Sequence, residues 1–456
     1  MLALLLSLAV SAPAETPPDL VFILSDDHRS DFLGCGGHPF LQTPHIDALA
    51  ERGVRFENAF VTTAICAASR ATILTGLYER THAYTFGEPP VKAAITEETY
   101  PLRLKGAGYQ TGFVGKFGAD FERTRTQGGP NAKELFDFAR VLDRNPYFKP
   151  QPDGTVRHVT DLAGDACVEF IRGAEPGKPL HLSLSFNAAH AEDSDKERQF
   201  PYPFAEAGLY ADAEVPEPLV PRDEWKSMPA FWHEAMVRTR YFWRWDTPEK
   251  YAMNYVNYCR LLTGMDRNVG RVVEALEVAG RLENSVIVFL GDNGYHMAFR
   301  GFAGKWSHHE QSLRVPLVMC DFRRPSGGRV SPALALNVDI APTLLDYAGV
   351  EPPKRYQGVS LRPVIEGRAE DTGRDDFFIE HRMKRFDIPK YEGVRGRRFK
   401  YARYYENPEG GEYLHDLESD PLERTNLAGK PEHAETLKRL RTRTDELSAR
   451  YLEARP

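Results

Sequence analysis

The amino-acid sequence predicts an α/β fold with a largely parallel central sheet flanked by helices. Continuous apolar runs at 20–24 and 285–290 are typical of strands that are buried on both faces of a sheet. Helical patterns alternate with these runs, as they do in parallel α/β proteins. After about residue 373 the pattern changes to short extended segments and one last helix, which predicts a smaller C-terminal antiparallel sheet plus a helix.

The chain has 456 residues, enough for one large domain and a smaller one. We expect a catalytic α/β domain at 19–372 and a C-terminal subdomain at 373–456. Within the first, the proline- and aromatic-rich segment 192–249 is an insertion and a candidate substrate lid. The net charge of −7 argues against a nucleic-acid partner, because nucleic-acid binders usually carry a basic excess.

The N-terminus carries an apolar stretch at 2–10 that is followed by the small-residue sequence Ala12-Pro13-Ala14. This pattern predicts a signal peptide at 1–14, and therefore an exported protein that is periplasmic or secreted. The stretch is too short to span a bilayer, and no later run of that length lacks charges, so no membrane span is expected.

The first element in the chain is the strand at 20–24, and it ends in Asp26 and Asp27. The strand at 285–290 likewise ends in Asp292 and Asn293. Adjacent carboxylates repel unless a cation lies between them, and hard oxygen ligands favour Ca²⁺ or Mg²⁺. For either pair alone, a solvated turn is an equal alternative. Together they predict four oxygen donors around one divalent ion, since parallel sheets bind ligands beyond the carboxyl ends of their strands.

A capped helix comes next, at 44–52, with Thr43 as the N-cap, Pro44 in the first turn and Gly53 as the stop. An extended segment at 54–60 follows it. The segment 62–76 then reads as a loop that enters a helix and ends at a glycine. Cys66 would lie near that helix N-terminus with Arg70 one turn further on, which makes a plausible oxyanion site. The alternative is a buried cysteine that acts as a small hydrophobe.

Two more strands run to the same rim. The glycine-rich segment 106–118 contains a strand that ends at Lys116, and the strand at 181–186 is followed by Ala189 and His190. A helix with apolar residues at helical spacing covers 248–279 and leads to the strand at 285–290. Lys305 follows that strand, and Glu310 and Arg314 are spaced as an i, i+4 pair.

The sequence C-A-A-S-R at 66–70, followed by A-T-I-L-T-G, resembles the signature motif of type I sulfatases, which is C-x-P/A-S-R followed by a short segment that ends in T-G. In that family the cysteine is oxidised by a maturation enzyme to formylglycine, whose hydrate is the nucleophile. Other segments resemble the family in the same order along the chain: T-P-H-I-D-A-L-A at 43–50, G-K at 115–116, A-H at 189–190, G-D-N-G at 291–294, G-K-W-S-H-H-E-Q-S-L-R-V-P at 304–316 and L-H-D-L-E-S-D-P at 414–421.

The resemblance covers most of the chain and implies the alkaline-phosphatase-like superfamily. It also implies a set of site residues. The implied catalytic residues are Cys66, Arg70, Lys116, His190 and Lys305. The implied metal ligands are Asp26, Asp27, Asp292, Asn293 and the modified Cys66, with Ca²⁺ expected and Mg²⁺ as the alternative. The implied substrate-binding residues are Lys116, His190 and Lys305.

One position departs from the family pattern, because Gly118 stands where the family usually has a histidine. His82 and His28 are the candidates to replace it. If Cys66 is modified, four cysteines remain; three disulfide pairings are possible, and no disulfide at all is the fourth outcome.

The expected function is hydrolysis of a sulfate monoester, with a carbohydrate sulfate favoured by the aromatic insertion and by export. The partners would be a small-molecule or oligosaccharide sulfate ester and the formylglycine-forming enzyme. Two alternatives stay open: a metal-dependent phosphatase or phosphodiesterase with the cysteine unconverted, and a catalytically silent glycan-binding protein. The residues leave open the sugar, the sulfated position and endo or exo action.

Overall fold

The computed structural model describes residues 16–86, 89–122, 125–126, 129–130, 132–385, 387–407 and 409–456. The predicted signal peptide, 1–14, lies outside the described residues. The strands are β1 (Asp19–Ser25), β2 (Val54–Phe60), β3 (Gln110–Gly115), β4 (Arg125–Thr126), β5 (Gly129–Pro130), β6 (Phe138–Val141), β7 (Phe148–Pro150), β8 (Val156–His158), β9 (Leu180–Ser185), β10 (Ser285–Gly291), β11 (His296–Met297), β12 (Ala303–Gly304), β13 (Leu317–Asp321), β14 (Arg329–Leu336), β15 (Asp376–His381), β16 (Tyr391–Gly396), β17 (Phe399–Arg403) and β18 (Glu412–Asp416).

The helices alternate with these strands through the first three quarters of the chain. They are α1 (Pro44–Arg52), α2 (Cys66–Thr75), α3 (Glu79–His82), α4 (Ala93–Thr96), α5 (Tyr100–Gly106), α6 (Val159–Arg172), α7 (Met236–Arg244), α8 (Pro248–Val278), α9 (Glu310–Leu313), α10 (Ile340–Tyr347), α11 (Arg362–Ile365) and α12 (Ala434–Glu453).

The central sheet has eight strands in the order β14-β2-β13-β10-β1-β9-β3-β6. The pairs from β10 through β1, β9 and β3 to β6 are parallel, and so is the pair β14 with β2. Strand β13 runs antiparallel to both β10 and β2. The prediction of a largely parallel α/β sheet is therefore confirmed, with β13 as the reversed strand.

The apolar runs fill two cores, one on each face of this sheet. In β1, Leu20, Phe22 and Leu24 belong to one core, while Val21 and Ile23 belong to the other. Strand side chains point alternately to opposite faces, so a run that is apolar at every position is explained by burial on both sides. Helices α1, α6 and α8 contribute to the second core, and α2, α5 and α10 to the first.

The C-terminal part forms a four-stranded antiparallel sheet in the order β15-β16-β17-β18, followed by α12. Strands β16 and β17 pair antiparallel and are joined by a short turn. The sheet contacts the region around the Cys66 loop, because the Glu380 N–H donates to the Thr62 carbonyl at 3.0 Å. Arg80 reinforces this contact through Nε to Glu380 at 3.0 Å and Nη2 to Glu392 at 2.7 Å.

Two local expectations differ from the structure, and the cysteines show the outcome without a disulfide. The Thr43 side chain does not cap α1; its hydroxyl instead accepts from the Gly34 N–H and donates to Asp47. Glu310 and Arg314 do not pair, because tertiary partners outcompete the short-range one. Glu310 contacts Arg395 and Lys400, whereas the Arg314 guanidinium donates to the carbonyl of Glu57. All five cysteines are free thiols, so none of the three disulfide pairings is present.

Candidate functional site

The acidic ends of β1 and β10 meet at the carboxyl rim of the sheet, as predicted. The two strands are parallel neighbours in register, with Ser25 opposite Gly291. The Asp27 N–H donates to Asp292 Oδ1 at 3.1 Å, and Asn293 Nδ2 donates to Asp27 Oδ1 at 2.8 Å. Asp26, Asp27, Asp292 and Asn293 are completely buried. The four oxygen-bearing side chains therefore form one cluster, which we call the acidic floor.

Three cationic side chains close over the acidic floor. Lys116, at the end of β3, contacts Asp26, and Lys305 contacts Asp27. Arg70 Nε donates to Asp292 Oδ2 at 2.9 Å. Burial opposes ionisation of Asp26, but Lys116 and then Arg70 outweigh it and lower its pKa to about 2.

Cys66 is the first residue of α2 and is only 2% exposed. Arg70 lies one turn further along α2, where its Nη1 donates to the carbonyl of Lys116 at 2.6 Å. Although burial opposes it, Asp292, Asp26 and Cys66 together raise the pKa of Arg70. Although burial opposes it, Asp27 and then Cys66 raise the pKa of Lys305, and Cys66 shares α2 with Arg70.

His190 follows β9 and faces the same cluster. Its Nδ1 hydrogen bonds to the carbonyl of Ala191 at 2.7 Å, and its Nε2 lies 3.6 Å from Asp27 Oδ2. Ligand atoms of Asp26, Asp27 and His190 lie within 4.8 Å of one another, a grouping that could hold a metal ion. Burial, then Arg144 and Lys305, hold the pKa of His190 well below its usual range, so the imidazole is neutral.

Gly118, which stands in place of the family histidine, lies close to the Arg70 side chain. Gly118 has φ +67°, and a Cβ built on it would lie 2.8 Å from Cδ of Arg70. Neither predicted substitute histidine stands in for it. The His28 ring hydrogen bonds to the Ser25 hydroxyl and the Phe32 carbonyl, both at 2.8 Å. The His82 ring hydrogen bonds to the Thr72 hydroxyl and the Tyr84 N–H, each at 3.1 Å.

Sequence reasoning missed four residues around the mouth of the site: Arg144, Asp193, Arg240 and Trp306. Arg144 follows β6, a strand of only four residues, Phe-Ala-Arg-Val, that are half-exposed or exposed and so give no buried-strand signal. Arg240 lies on α7 of the insertion, and its Nη2 donates to Asp193 at 2.9 Å. Trp306 directly follows Lys305 and packs 4.7 Å from the Arg240 guanidinium. Arg144 could have been found from the sequence only by considering every charged residue that follows a central strand.

These rim residues form the solvent side of the site. The side chains of Lys116, Arg144, Arg240 and Asp193 are 13%, 18%, 14% and 24% exposed, whereas those of Arg70 and Lys305 are 2% exposed. The cluster thus has a buried acidic floor and a more exposed basic rim, which we call the mouth. Such a cluster can hold an oxyanion against several fixed cations in a water-poor environment.

Among the described residues, no helix has both the length and the apolar character that a membrane crossing requires.

Comparison with solved structures agrees with the architecture. A protein solved in complex with its substrate D-glucosamine-2-N,6-O-disulfate superposes with a TM-score of 0.79 at 24% identity, covering 96% of this chain and 99% of the other. The phosphonate monoester hydrolase of Agrobacterium radiobacter gives a TM-score of 0.76 at 23% identity, covering 95% and 96%. At such identities the likeness concerns the fold, an α/β architecture of the alkaline-phosphatase-like kind.

Two curated relatives match over nearly the whole chain. An N-acetylglucosamine-6-O-sulfatase of Bacteroides thetaiotaomicron is 27% identical, covering 96% of this chain and 88% of the relative. An arylsulfatase of Clostridium perfringens is 28% identical, covering 93% of each.

Two family models also match: the C-terminal model of N-sulphoglucosamine sulphohydrolase over residues 299–450, and the sulfatase model over residues 18–350. The second spans well over half of the chain and contains the acidic floor, Cys66 and every cation placed above it. This chain therefore belongs to the sulfatase family and is a sulfuric ester hydrolase.

Proposed function

We propose that this enzyme is an exported sulfatase that hydrolyses a sulfate monoester of a carbohydrate, with a nucleophile derived from Cys66 and a bound divalent cation. The observation that carries the proposal is the convergence of Cys66, Arg70, Lys116 and Lys305 on one acidic floor. The choice of a carbohydrate is supported by the similarity to an N-acetylglucosamine-6-O-sulfatase. Export follows from the sequence pattern of residues 1–14.

The acidic floor fits a divalent cation. Asp26 Oδ1, Asp27 Oδ2 and Asn293 Oδ1 are buried and have no hydrogen-bond partner within the described part of the chain. Buried oxygen atoms are normally satisfied, so three unpaired ones in one cluster suit a hard cation. With Asp292 they would hold Ca²⁺, with Mg²⁺ as the alternative. When bound, the ion would neutralise sulfate oxygens and favour deprotonation of the nucleophile.

A maturation enzyme would convert Cys66 to formylglycine. The hydrate of this formylglycine then supplies a hydroxyl group as the nucleophile. Arg70 lies one helical turn away and would hold that hydroxyl group in position. Lys116 and Lys305 would hold the negative charge of the sulfate, because their ammonium groups contact Asp26 and Asp27 of the floor. Lys305 keeps this role only while it stays cationic; although burial opposes it, Asp27 raises the pKa of Lys305.

Two groups are placed to move protons. The departing alcohol oxygen needs a proton when its bond to sulfur breaks, and the cationic Lys305 would donate it, whereas the neutral His190 would accept a proton at Nε2. Because His190 Nδ1 is held by the carbonyl of Ala191, its Nε2 is the atom that faces Asp27 of the floor. When sulfate is later expelled from position 66, the remaining hydroxyl must lose its proton. With Gly118 in the place of the family histidine, His190 Nε2 is the imidazole nitrogen available there.

The test begins with a mass measurement on the peptide that contains position 66, from protein co-produced with a formylglycine-forming enzyme. We expect the modified mass, together with release of sulfate from aryl and sugar sulfates. Cys66→Ala should lower sulfate release at least about a thousandfold. Phosphate-ester turnover that survives Cys66→Ala would favour the phosphatase or phosphodiesterase alternative. Saturable sugar binding without turnover under any metal would favour the glycan-binding one.

A further inference from the structure

The mouth of the site holds more positive charge than its single carboxylate can neutralise. Asp193 accepts from Arg240 Nη2 at 2.9 Å, lies 3.8 Å from Arg144 Nη2 and contacts Arg244. Within the described part of the chain, no carboxylate other than that of Asp193 lies within ion-pair distance of these three guanidinium groups. Two positive charges at the mouth are therefore left without an acidic partner.

The three arginines differ in how fully they are satisfied. Arg244 is completely buried, and it also donates to the Gln199 side chain at 2.6 Å and to the Tyr295 hydroxyl at 2.9 Å. This residue accounts for the attachment of α7 to the domain. Arg240, one turn earlier on the same helix, bonds only to Asp193 among the described side chains and remains partly exposed at the mouth.

Three hydrogen-bond donors at the mouth have no acceptor. Arg240 Nε, Arg240 Nη1 and Trp306 Nε1 are buried and unpartnered among the described residues. They belong to one contact, because the Arg240 guanidinium lies 4.7 Å from the centre of the Trp306 ring. Leaving a buried donor unsatisfied is unfavourable, and an oxyanion would relieve this while also neutralising charge.

The position of these donors relates them to the reacting sulfate. Trp306 directly follows Lys305, which contacts the acidic floor. The backbone N–H of Trp306 donates to the carbonyl of Ala64 at 3.3 Å, and Ala64 lies two residues before Cys66. The backbone of Trp306 is left-handed, with φ +73°. The centre of its ring lies 4.7 Å from the Arg240 guanidinium on α7 and 5.8 Å from the Lys305 ammonium. A group bound there would be a neighbour of the sulfate that Lys305 contacts.

We propose that Arg240, Trp306 and Arg144 form a second anion-binding subsite, which takes a carboxylate or a further sulfate carried by the same substrate beside the sulfate ester. This inference rests on the proposed sulfatase function and narrows its substrate class to multiply anionic carbohydrates. The shared chemistry is an oxyanion that accepts hydrogen bonds from a guanidinium and an indole.

The test compares three matched sugar sulfates: a monosulfated disaccharide, the same disaccharide with a uronic carboxylate, and the same disaccharide with a second sulfate. The wild-type enzyme should have a kcat/KM about tenfold or more higher for at least one dianionic substrate. Arg240→Met should remove that preference through KM, and Arg240→Lys should retain part of it. Which dianion is preferred identifies the source of the second charge.

Arg260→Met is the matched control. Arg260 lies on α8, where it donates to the Leu209 carbonyl at 2.9 Å, and it should not change the ratio between substrates. Equal wild-type kcat/KM for all three substrates, a preference that persists in Arg240→Met, or the same loss in Arg260→Met would each overturn the subsite. Melting temperatures verify that the variants are folded.

Binding separates this inference from the proposed function. In the Cys66→Ala variant, calorimetric Kd values for the same three sugars should show tighter binding of a dianionic sugar than of the monosulfated one. In the double variant that carries both Cys66→Ala and Arg240→Met, this difference in Kd should be lost. If the wild-type enzyme hydrolyses none of the sugars, the sulfatase proposal fails, and the Kd comparison still decides the subsite. Equal Kd values for all three sugars would contradict the subsite whatever the turnover.

Discussion

At the scale of single residues, Gly118 lies where both the backbone conformation and the packing disfavour a side chain. Its φ of +67° is left-handed, and a Cβ there would lie 2.8 Å from Cδ of Arg70. Arg70 itself is held by Asp292 and by the carbonyl of Lys116. The sequence showed the glycine but not this contact, because the path of the Arg70 side chain is a tertiary property.

Gly118→Ala should therefore lower both stability and activity. We expect a loss of about 1–2 kcal/mol in the free energy of unfolding, from backbone strain and the contact with Arg70, and a lower kcat. Gly106→Ala is the control, since a Cβ there meets nothing within 4 Å. Denaturant unfolding and sulfate release measure the two effects. If Gly118→Ala kept the stability and kcat of the wild type, the prediction that a side chain is disfavoured at position 118 would be contradicted.

Glu79 provides a second prediction at this scale. It is 1% exposed, and burial and then Glu380 raise its pKa to about 8. With a folded pKa of about 8, well above its unfolded value, the Glu79 carboxyl is mostly neutral in the native state at pH 7. The folded protein thus takes up a proton, and stability falls as pH rises from about 4.5 toward 8.

Glu79→Gln should remove this loss. At pH 8 the variant should be more stable than the wild type by about 2–4 kcal/mol, whereas at pH 5 the two should be alike. The free energy of unfolding at pH 5, 6.5 and 8 measures the difference. The exposed Glu277→Gln is the control, and parallel pH profiles for Glu79→Gln and wild type would refute the prediction.

At the scale of elements, the strands were predictable because both of their faces are apolar. Helix α8 was predictable because its apolar residues recur at helical spacing over 31 residues. The reversed direction of β13 was not predictable, since an apolar run reads the same in either direction. Helix α7 was missed within a segment rich in aromatic and arginine residues, because those residues serve tertiary contacts as well as a helical face.

Helix α12 shows how an element is held by one face. Its buried residues Leu437, Leu440, Leu447 and Tyr451 follow helical spacing, and the Tyr451 ring stacks on Tyr78 at 4.1 Å. Tyr451→Ala should lower the free energy of unfolding by about 3 kcal/mol, because it removes a buried ring.

The adjacent residue gives the control. Leu452 is 47% exposed, and Leu452→Ala should change stability by no more than about 0.5 kcal/mol. Urea unfolding of the two variants measures both values, and similar losses in the two would show that this face does not anchor the helix.

At the scale of the whole molecule, the acidic floor couples two distant parts of the chain, since β1 and β10 lie more than 250 residues apart. A ligand that binds only the folded arrangement stabilises it. We expect Ca²⁺ at a hundred times its Kd to raise the free energy of unfolding by about 2.7 kcal/mol, and a chelator to reverse this.

Asn293→Ala should greatly reduce that Ca²⁺-dependent increase, since it removes one unpaired oxygen of the floor. The exposed Asp153→Asn should retain it. Thermal unfolding with Ca²⁺, with Mg²⁺ and with a chelator measures the response. An unchanged Ca²⁺ response in Asn293→Ala would place the ion elsewhere.

The sequence by itself determined the α/β class and the sulfatase relationship, because apolar runs, strand-end polar residues and short motifs are local features. For the same reason it predicted Asp26, Asp27, Asp292, Asn293, Cys66, Arg70, Lys116, His190 and Lys305 as one cluster. Only the tertiary structure decided how Arg70 fills the space beside Gly118, which way β13 runs, and that Arg144, Asp193, Arg240 and Trp306 surround the mouth. These features depend on which distant side chains compete for the same space and charge, and no local pattern records that competition.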